Sequence, residues 1–425
     1  MSFEKIVRTL VGDTPGRSTE LNYFRIGPDD AEKKVYLQAA LHADEQPGIL
    51  VLHHLLPLLR DADAAGELKA RFVLFPMVNP LGMGDIEFGR HQGRYNRITG
   101  VNHNRDWPVL YDAVGEGLSQ KLGSDAALNI ELVRTALRDW AASLPRTTAL
   151  QQWRQCVISE ACDADYVFDL HCADDSLLHI FSVPQLADNM QQLANWTGAA
   201  ATMLAEDSGG GSFDEIWPAI WLRLARECGD RPLPLPVASC TLEYRGQGDT
   251  FDTLNRQDAL NLYGYFQEQG LIDGAPLGQK SEARAGTDLR ATEYLRAPHA
   301  GLLAYRVELG DWVEKGDCVA DLIRLDGDGA FIDRIPLLAG TSGQVISRKT
   351  DKYVWADANI CKIVGEEVLE SRDGNLLSDL SRGWTPRFSV QWSPTGAPVV
   401  PSRGIFAALS HGPRASIKDA QGQGI

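Results

Sequence analysis

The chain has 425 residues, of which 44% are hydrophobic and 23% charged, a composition typical of a globular protein; about one domain per 150 residues predicts two or three domains. Its formal net charge of −16 at pH 7 argues against a nucleic acid partner, because such binding relies on clustered Lys and Arg. No apolar stretch reaches the roughly 20 residues that a membrane-spanning helix needs, so we expect no membrane partner.

The N-terminal segment and the cysteines indicate a cytoplasmic protein. Residues 1–14 interleave Glu4, Lys5, Arg8 and Asp13 with single apolar residues, so they lack the uninterrupted apolar core of a secretory signal peptide. The seven cysteines are scattered, with no CxxC pair and an odd total, which argues against a disulfide framework. We therefore expect a reducing, cytoplasmic environment.

The chain up to residue 285 predicts an α/β domain. Its opening resembles a βαβ unit, with a strand, a helix and a second strand in succession: Val35–Leu41, Gly48–Arg60 and Arg71–Val78. Apolar runs and helical spacing predict further elements, namely helix Asp125–Ser143, strands Tyr166–Leu170 and Leu178–Val183, helix Gln185–Leu204 and strand Val237–Leu242.

The rest of the chain differs in composition. Residues 274–286, rich in Gly and Ala, predict a linker. Residues 291–364 alternate short strand-like runs with turn signals such as Lys315-Gly316-Asp317, which predicts a small all-β domain over residues 286–370. Residues 371–425 hold repeated Gly, Pro, Ser and Arg without a sustained period, and this predicts a poorly ordered tail.

A candidate metal site begins where the first strand gives way to the helix, at His42 and Glu45. The HxxE pattern alone is weak, but imidazole and carboxylate suit zinc, which keeps three protein ligands and an open position in catalytic sites. His171, at a strand end, is the best third ligand, since strand alternation points Cys172 the other way. These residues predict one zinc ion per chain, and cobalt or manganese would also fit.

Two acidic residues accompany this set. Glu243 ends an apolar strand, where a carboxylate is rare unless paired or functional, so it is the candidate general base. Its alternative is a strand-end carboxylate neutralised by Arg245. Asp169 precedes His171 by two residues and either orients its imidazole or is a strand-edge carboxylate.

Residues 90–105 contain four Arg and no acidic residue, in contrast to the acidic chain as a whole. A run of this kind is often only a solvated loop. Arg side chains also bind carboxylates through a planar fork and stabilise the oxyanion that develops at a scissile carbonyl. The segment is therefore a candidate anion site.

Together these motifs resemble the succinylglutamate desuccinylase/aspartoacylase family of the zinc carboxypeptidase clan. The matching residues occur in the family's order: His42-x-x-Glu45, Asn79-Pro80, Arg97 followed by Asn104-Arg105, Asp169-Leu170-His171 and Glu243. The resemblance implies a zinc-carboxypeptidase-like α/β fold, with a mixed sheet flanked by helices. It also implies a deacylase that cleaves the amide bond of a small N-acyl amino acid with zinc-activated water and a glutamate base.

The resemblance also implies roles for the arginine-rich segment. Arg97 polarises the substrate carbonyl, while Asn104 and Arg105 hold a substrate carboxylate. Arg90 and Arg94 also lie upstream, and the choice of Arg97 over them rests on its spacing from Asn104. Family members commonly have Asp-Leu-Asn-Arg where this chain has Asn-His-Asn-Arg at 102–105, which leaves the shape of the pocket open.

The C-terminal region is similar to the biotinyl/lipoyl-like β-sandwich that this family often carries, as seen in segments 301–303, 310–317 and 343–345. Its predicted tip, residues 336–342, lacks a lysine for cofactor attachment, so a structural or substrate-shaping cap is expected. Two other functions remain open: a metallocarboxypeptidase acting on peptides and a non-catalytic binding protein. The sequence does not specify the acyl group, nor whether the chain forms a homo-oligomer.

Overall fold

The computed structural model of the protein describes residues 3–372, Leu376, and the backbone of residues 391–392 and 398–399. Residues 1–384 belong to one compact unit and residues 385–425 to a second. Within the second unit, the described strands β21 (Gln391–Trp392) and β22 (Pro398–Val399) pair antiparallel. Most of the predicted poorly ordered tail, residues 371–425, lies outside the described residues.

A mixed sheet of nine strands forms the centre of the first unit, in the order β1-β2-β4-β3-β7-β11-β9-β10-β12. The strands β3, β4, β7 and β11 run parallel to one another, whereas β1–β2, β2–β4 and β9–β11 pair antiparallel. The strands up to residue 288 are β1 (Glu4–Val11), β2 (Ser18–Ile26), β3 (Lys33–Ala39), β4 (Ala70–Phe75), β5 (Ile86–Glu87), β6 (Arg90–His91), β7 (Tyr166–Ala173), β8 (Asp175–Ser176), β9 (His179–Ser182), β10 (Ala201–Leu204), β11 (Ala238–Gly246) and β12 (Thr287–Asp288).

Helices cover both faces of this sheet, which makes the strands buried. The described helices are α1 (Pro47–Ala65), α2 (Pro80–Met83), α3 (Leu118–Lys121), α4 (Ala126–Ser143), α5 (Ala149–Ala161), α6 (Ala187–Thr197), α7 (Phe213–Glu227) and α8 (Asp252–Glu268). The helix predicted to continue to residue 204 ends instead at Thr197, because Gly198 takes a left-handed conformation (φ 72°). Residues 201–204 are strand β10.

Two hydrophobic clusters, one on each face of the sheet, show how strand alternation builds the layers. In β3, Val35 and Leu37 pack with α1, α6 and α8, whereas Tyr36 packs with α4, α5 and α7. In β7, Phe168 belongs to the first cluster and Val167 to the second. Side chains of odd number in β7 therefore point to the face of α4, α5 and α7.

The C-terminal β-region, residues 292–364, contains two further sheets around their own core. Its strands are β13 (Thr292–Arg296), β14 (Gly301–Tyr305), β15 (Trp312–Val313), β16 (Cys318–Ile323), β17 (Arg334–Leu338), β18 (Gly343–Arg348), β19 (Tyr353–Val354) and β20 (Asn359–Val364). Strand β18 pairs with β8, close behind β7, so this region adjoins the carboxyl ends of the central strands. The division into domains at residues 285 and 370 stays a prediction.

Among the described residues, no helix is both long and apolar enough to cross a membrane.

Candidate metal and active site

His42, Glu45 and His171 converge at the carboxyl ends of neighbouring strands. His42 and Glu45 lie between β3 and α1, and His171 lies in β7, which pairs directly with β3. Ala40 takes a left-handed conformation (φ 58°) that turns the chain toward the site. The three residues are buried, and one potential ligand atom from each lies within 4.8 Å of the others.

The hydrogen-bonding pattern of the two imidazoles fits a bound cation. His42 Nδ1 lies 2.9 Å from Glu45 Oε1, and His42 Nε2 lies 2.7 Å from Asn102 Oδ1. His171 Nδ1 lies 2.7 Å from Glu45 Oε2, and His171 Nε2 lies 2.8 Å from Asp169 Oδ2. Each ring thus faces two oxygen acceptors, and His42 in its neutral form cannot donate to both because it has one N–H. A cation among the Nδ1 atoms and the carboxylate would remove this conflict, and its donor set suits zinc.

Burial and neighbouring charges set the protonation of these groups. Burial and then the Arg94 guanidinium lower the pKa of His42 to about 3. Burial opposes the charged forms of Glu45 and His171. The two imidazoles nevertheless hold the pKa of Glu45 well below its usual range, while Asp169 and Glu45 raise the pKa of His171 well above its usual range.

Arg94 joins this cluster, a contact that spacing arguments did not predict. Its Nη1 donates to Glu45 Oε1 over 2.6 Å. The preceding Gly93 has φ 33° and accepts a hydrogen bond from Ala43 N over 3.0 Å, which holds the loop against the site. A Cβ at Gly93 would lie 2.8 Å from Asp44 N, so glycine is needed for this close approach.

Arg97, the residue predicted to polarise the carbonyl, does not join the cluster. It lies in an exposed turn in which Asn96 Oδ1 accepts from the backbone N–H groups of Ile98 and Thr99. Its half-exposed guanidinium pairs with Glu87. This turn directs the Arg97 side chain away from Glu45 and toward Glu87. The role of Arg97 in polarising the carbonyl stays a prediction.

The side-chain amides of Asn102 and Asn104 hold neighbouring groups of the site in position. Asn102 Oδ1 lies against His42 Nε2 and also accepts from Asn104 N over 2.8 Å. Asn104 Oδ1 accepts from Phe213 N over 2.8 Å, and its Nδ2 lies 3.4 Å from His171 Nε2. Asn104, predicted to bind substrate, is thus buried and links the first residue of α7 to His171. Asn102 was not predicted as a site residue.

Arg105 lies against the glycine run that precedes α7. Its Nη1 donates to Asn104 O over 2.6 Å, and Arg154 Nη2 donates to the Arg105 carbonyl over 2.9 Å. A Cβ at Gly210 would lie 2.8 Å from Arg105 Nε. The glycine run therefore provides room for this guanidinium.

Glu243 lies beside the metal cluster, directly opposite His171 in the pairing of β11 with β7. Burial and then the charge of Glu45 raise the pKa of its carboxyl, and its buried Oε2 has no hydrogen-bond partner among the described residues. Arg245 does not neutralise it, because Arg245 Nη1 donates to Asp258 Oδ1 over 3.1 Å. The carboxylate is thus held in a desolvated position that suits proton transfer.

Cys172 contributes its backbone to the site. Its N–H donates to Glu45 Oε2 over 3.1 Å, while burial and then the Glu45 charge raise the pKa of its thiol. A thiol kept protonated in this way is a poor nucleophile.

Comparison with known proteins shows that the region of this site is similar to a known family. No curated protein matches the chain, but the sequence model of the succinylglutamate desuccinylase/aspartoacylase catalytic domain matches residues 31–218. The matched stretch includes His42, Glu45 and His171 and ends before Glu243. This similarity supports a hydrolytic deacylase.

Solved structures named for the same family share the fold. A family protein from Shewanella amazonensis SB2B is 25% identical, with 85% of this chain and 98% of that chain covered and a TM-score of 0.71. A protein from Shewanella frigidimarina NCIMB 400 is 22% identical, with coverage of 85% and 97% and a TM-score of 0.72. The ectoine utilization protein EutE of Ruegeria pomeroyi is 17% identical, with coverage of 86% and 95% and a TM-score of 0.58.

Proposed function

We propose that this protein is a zinc-dependent hydrolase that cleaves the amide bond of small N-acyl amino acids. The observation that carries the proposal is the buried convergence of His42, Glu45 and His171, with more oxygen acceptors around the two imidazoles than N–H groups to meet them. His42 Nδ1, His171 Nδ1 and the Glu45 carboxylate would hold the ion. When bound, zinc would lower the pKa of a water molecule and polarise the substrate carbonyl.

Glu243 would act as the general base. Its carboxylate would take a proton from the attacking water and pass it to the nitrogen of the leaving amine. The raised pKa of this carboxyl supports the transfer to the leaving amine. A group that first takes and then gives a proton is most effective when its pKa lies near the working pH. The unpartnered Oε2 gives it an oxygen free to accept the proton.

We assign to Arg94 the carbonyl-polarising role that the sequence had given to Arg97. Arg94 contacts the proposed metal ligand Glu45, and about a third of its side chain is exposed. A fixed guanidinium at this position would stabilise the oxyanion. Arg105, which packs against Gly210, would bind the carboxylate of the amino acid, with Asn104 holding the loop that carries it.

The C-terminal β-region would be a biotinyl/lipoyl-like cap domain, residues 286–370, on a catalytic domain of residues 1–285. Its Arg348 Nη2 lies 3.1 Å from Asp175 Oδ2, and its Lys349 Nζ lies 3.4 Å from Asp174 Oδ2. Both acids closely follow His171, so these ion pairs hold the region close to this proposed metal ligand. A cap in this place would narrow access and favour small substrates over peptides.

The test combines metal content with turnover of N-acetyl and N-succinyl amino acids and of short peptides. We expect wild type to hold about one zinc ion, His171→Ala to lose it, and Glu243→Gln to keep it while kcat falls by about 10²- to 10⁴-fold. The exposed His299 provides a control, because His299→Ala should retain metal and activity. A wild type without bound metal, or a fully active Glu243→Gln, would overturn the proposal. Faster cleavage of peptides than of N-acyl amino acids would favour a carboxypeptidase.

A further inference from the structure

Arg154 of α5 reaches the loop that carries Arg105. Its Nη2 donates to the Arg105 carbonyl over 2.9 Å, and its Nη1 donates to the Asp106 carbonyl, also over 2.9 Å. The two acceptors belong to consecutive residues, and the planar guanidinium presents its amino groups in a fixed fork. One side chain therefore sets the orientation of both peptide groups that flank the Cα atom of Asp106.

The backbone of Asp106 needs support of this kind. It is left-handed, with φ 55°, a conformation that residues other than glycine rarely adopt. The Asp106 side chain is exposed, so its packing does not enforce the turn. Asp106 N donates to Gly210 O over 3.4 Å, and Trp107 N donates to Gly211 O over 3.1 Å. Arg154 adds shorter bonds, which are also charge-assisted and therefore stronger.

The same contacts fix the direction of the Arg105 side chain. The peptide group before Arg105 is held because Arg105 N donates to Asn102 O over 3.1 Å. The peptide group after it is held by Arg154 Nη2. Because peptide groups are planar, fixing both of them fixes φ and ψ of Arg105, and with these the direction of its Cα–Cβ bond. The guanidinium of Arg105 thus extends from a set position toward Gly210.

Arg154 is itself held in place. Helix α5 opens with a capping box, which stabilises its first turn. The adjacent Trp153 is buried, and its Nε1 donates to Val78 O over 2.5 Å. The Arg154 guanidinium lies over the Trp107 ring, with Cζ 4.8 Å from the ring centre. These contacts make Arg154 a fixed donor to the loop.

The charge of Arg154 indicates more than a packing role. Burial lowers the pKa of its guanidinium to about 10, and the charge of Asp106 opposes this shift, so Arg154 is a cation at neutral pH. Its Nε is buried without a hydrogen bond among the described residues. A buried charge is costly to keep, and a neutral side chain would cover Trp107 without that cost. The bonds to the two carbonyls are what the charge strengthens.

We infer that Arg154 is a positioning residue for Arg105, which directs that guanidinium at the substrate carboxylate by holding the carbonyls of residues 105 and 106. The inference rests on the proposed role of Arg105 and deepens it. Arg154 lies in α5, outside the arginine-rich segment 90–105. It acts through the backbone and need not touch the substrate. A small displacement of a group that positions the substrate is enough to lower the rate strongly.

The test compares N-acetyl-alanine with N-acetyl-alaninamide, in which an amide replaces the carboxylate at almost the same size. Wild type should prefer the carboxylate form, and Arg105→Met should reduce the ratio of the two kcat/KM values by about 10- to 100-fold. Arg154→Met should reduce this ratio by about 3- to 30-fold, mainly through KM. The double variant should have the same ratio as Arg105→Met alone, because the two residues act as one unit. Arg154→Lys keeps the charge but not the fork, so its ratio should lie between those of wild type and Arg154→Met.

Arg146→Met is the control. Arg146 Nη2 also donates to a backbone carbonyl, that of Ala142 in α4, over 3.2 Å, but it has no contact with the Arg105 loop among the described hydrogen bonds. Its ratio should equal that of wild type. An unchanged ratio in Arg154→Met, or effects that add in the double variant, would overturn the inference. If Arg105→Met leaves the ratio unchanged, the inference falls together with the proposed role of Arg105, while hydrolysis itself stands.

Two further readouts separate this inference from the proposed hydrolase. Amide hydrogen exchange in segment 102–108 should be faster in Arg154→Met than in wild type or Arg146→Met, because the turn has lost two hydrogen bonds. Calorimetric titration of the zinc-loaded proteins with N-acetyl-alanine should show binding that weakens in Arg154→Met by about the same factor as the kinetic ratio.

These readouts do not depend on turnover. If neither substrate is hydrolysed but the preference in binding for the acid over the amide still depends on Arg105 and Arg154, the hydrolase proposal fails and the positioning role stands. If hydrogen exchange does not change in Arg154→Met, or if wild type does not distinguish the acid from the amide in turnover or in binding, the inference is overturned.

Discussion

Replacing Arg94 by alanine should lower kcat/KM for an N-acyl amino acid by about 10²- to 10³-fold, the usual effect of removing one oxyanion donor. Arg97→Ala should stay within about threefold of wild type. The difference follows from where the structure places each side chain. Arg94 Nη1 lies 2.6 Å from Glu45 Oε1, whose side chain is only 4% exposed, whereas Arg97 pairs with the exposed Glu87.

The two environments set these magnitudes. A donor next to a desolvated carboxylate acts where the local dielectric is low, and its loss corresponds to about 3–4 kcal/mol in the transition state. An exposed ion pair such as Arg97–Glu87 contributes about 0–1 kcal/mol to stability. Arg94→Lys keeps the charge but loses the planar fork, so its activity should fall between those of wild type and Arg94→Ala.

Steady-state kinetics on purified variants would measure the effect, with metal content determined on the same samples. Because Arg94 touches a proposed ligand, rates must be compared at equal zinc occupancy. The reasoning is refuted if Arg97→Ala loses more activity than Arg94→Ala at equal occupancy. In that case the spacing from Asn104, rather than the contact with Glu45, identifies the catalytic arginine.

Asn102→Ala should weaken zinc binding by about 10- to 100-fold, because Asn102 Oδ1 lies 2.7 Å from His42 Nε2 and orients the ring. Competition with a chelator would measure the zinc affinity, and an unchanged affinity would contradict this prediction. Asp163→Asn should destabilise the protein at neutral pH and progressively less in acid. Burial opposes the charge of Asp163, but Lys34, Arg138 and Arg134 together hold the pKa of its carboxyl below the usual value. The stabilisation by this charge is therefore present above the unfolded-state pKa and is lost as pH falls through the folded-state pKa. Denaturant unfolding from about pH 6 to pH 3 should show the free energies of unfolding of wild type and Asp163→Asn converging as pH falls. Asp139→Asn, at an exposed position, is the control. A difference in free energy of unfolding that does not change with pH would count against the ion pair.

Much of the central sheet could be predicted because its strands are buried on both faces. Strands β3, β4, β7 and β11 lie within a few residues of the predicted runs, since continuous apolar sequence is typical of such strands. Strands β1 and β2 were not predicted because β1 is an edge strand with Glu4, Lys5 and Arg8 exposed. Strand β10 has four buried residues, too few to separate from the helix before it by periodicity.

The proposed metal ligands could be located because each of their motifs lies at or near the carboxyl end of a predicted strand. His42 and Glu45 are close in sequence, and His171 lies near the end of a strand that a parallel sheet brings to the same edge. The loop between residues 90 and 105 could not be predicted in this way. The position of Arg94 depends on the left-handed Gly93 and its backbone contact with Ala43, neither of which leaves a periodic signal.

Backbone conformation shows how closely this site depends on sharp turns at strand and loop ends. Three residues other than glycine with positive φ flank proposed site residues: Ala40 (58°), two before His42; Asp106 (55°), next to Arg105; and Arg245 (61°), two after Glu243. Each such conformation costs about 1–2 kcal/mol and persists only when the surrounding structure enforces it. Buried packing at Ala40 and the paired guanidinium of Arg245 provide that enforcement, so the geometry of the ligands and the base is set by the fold around them rather than by local sequence preference.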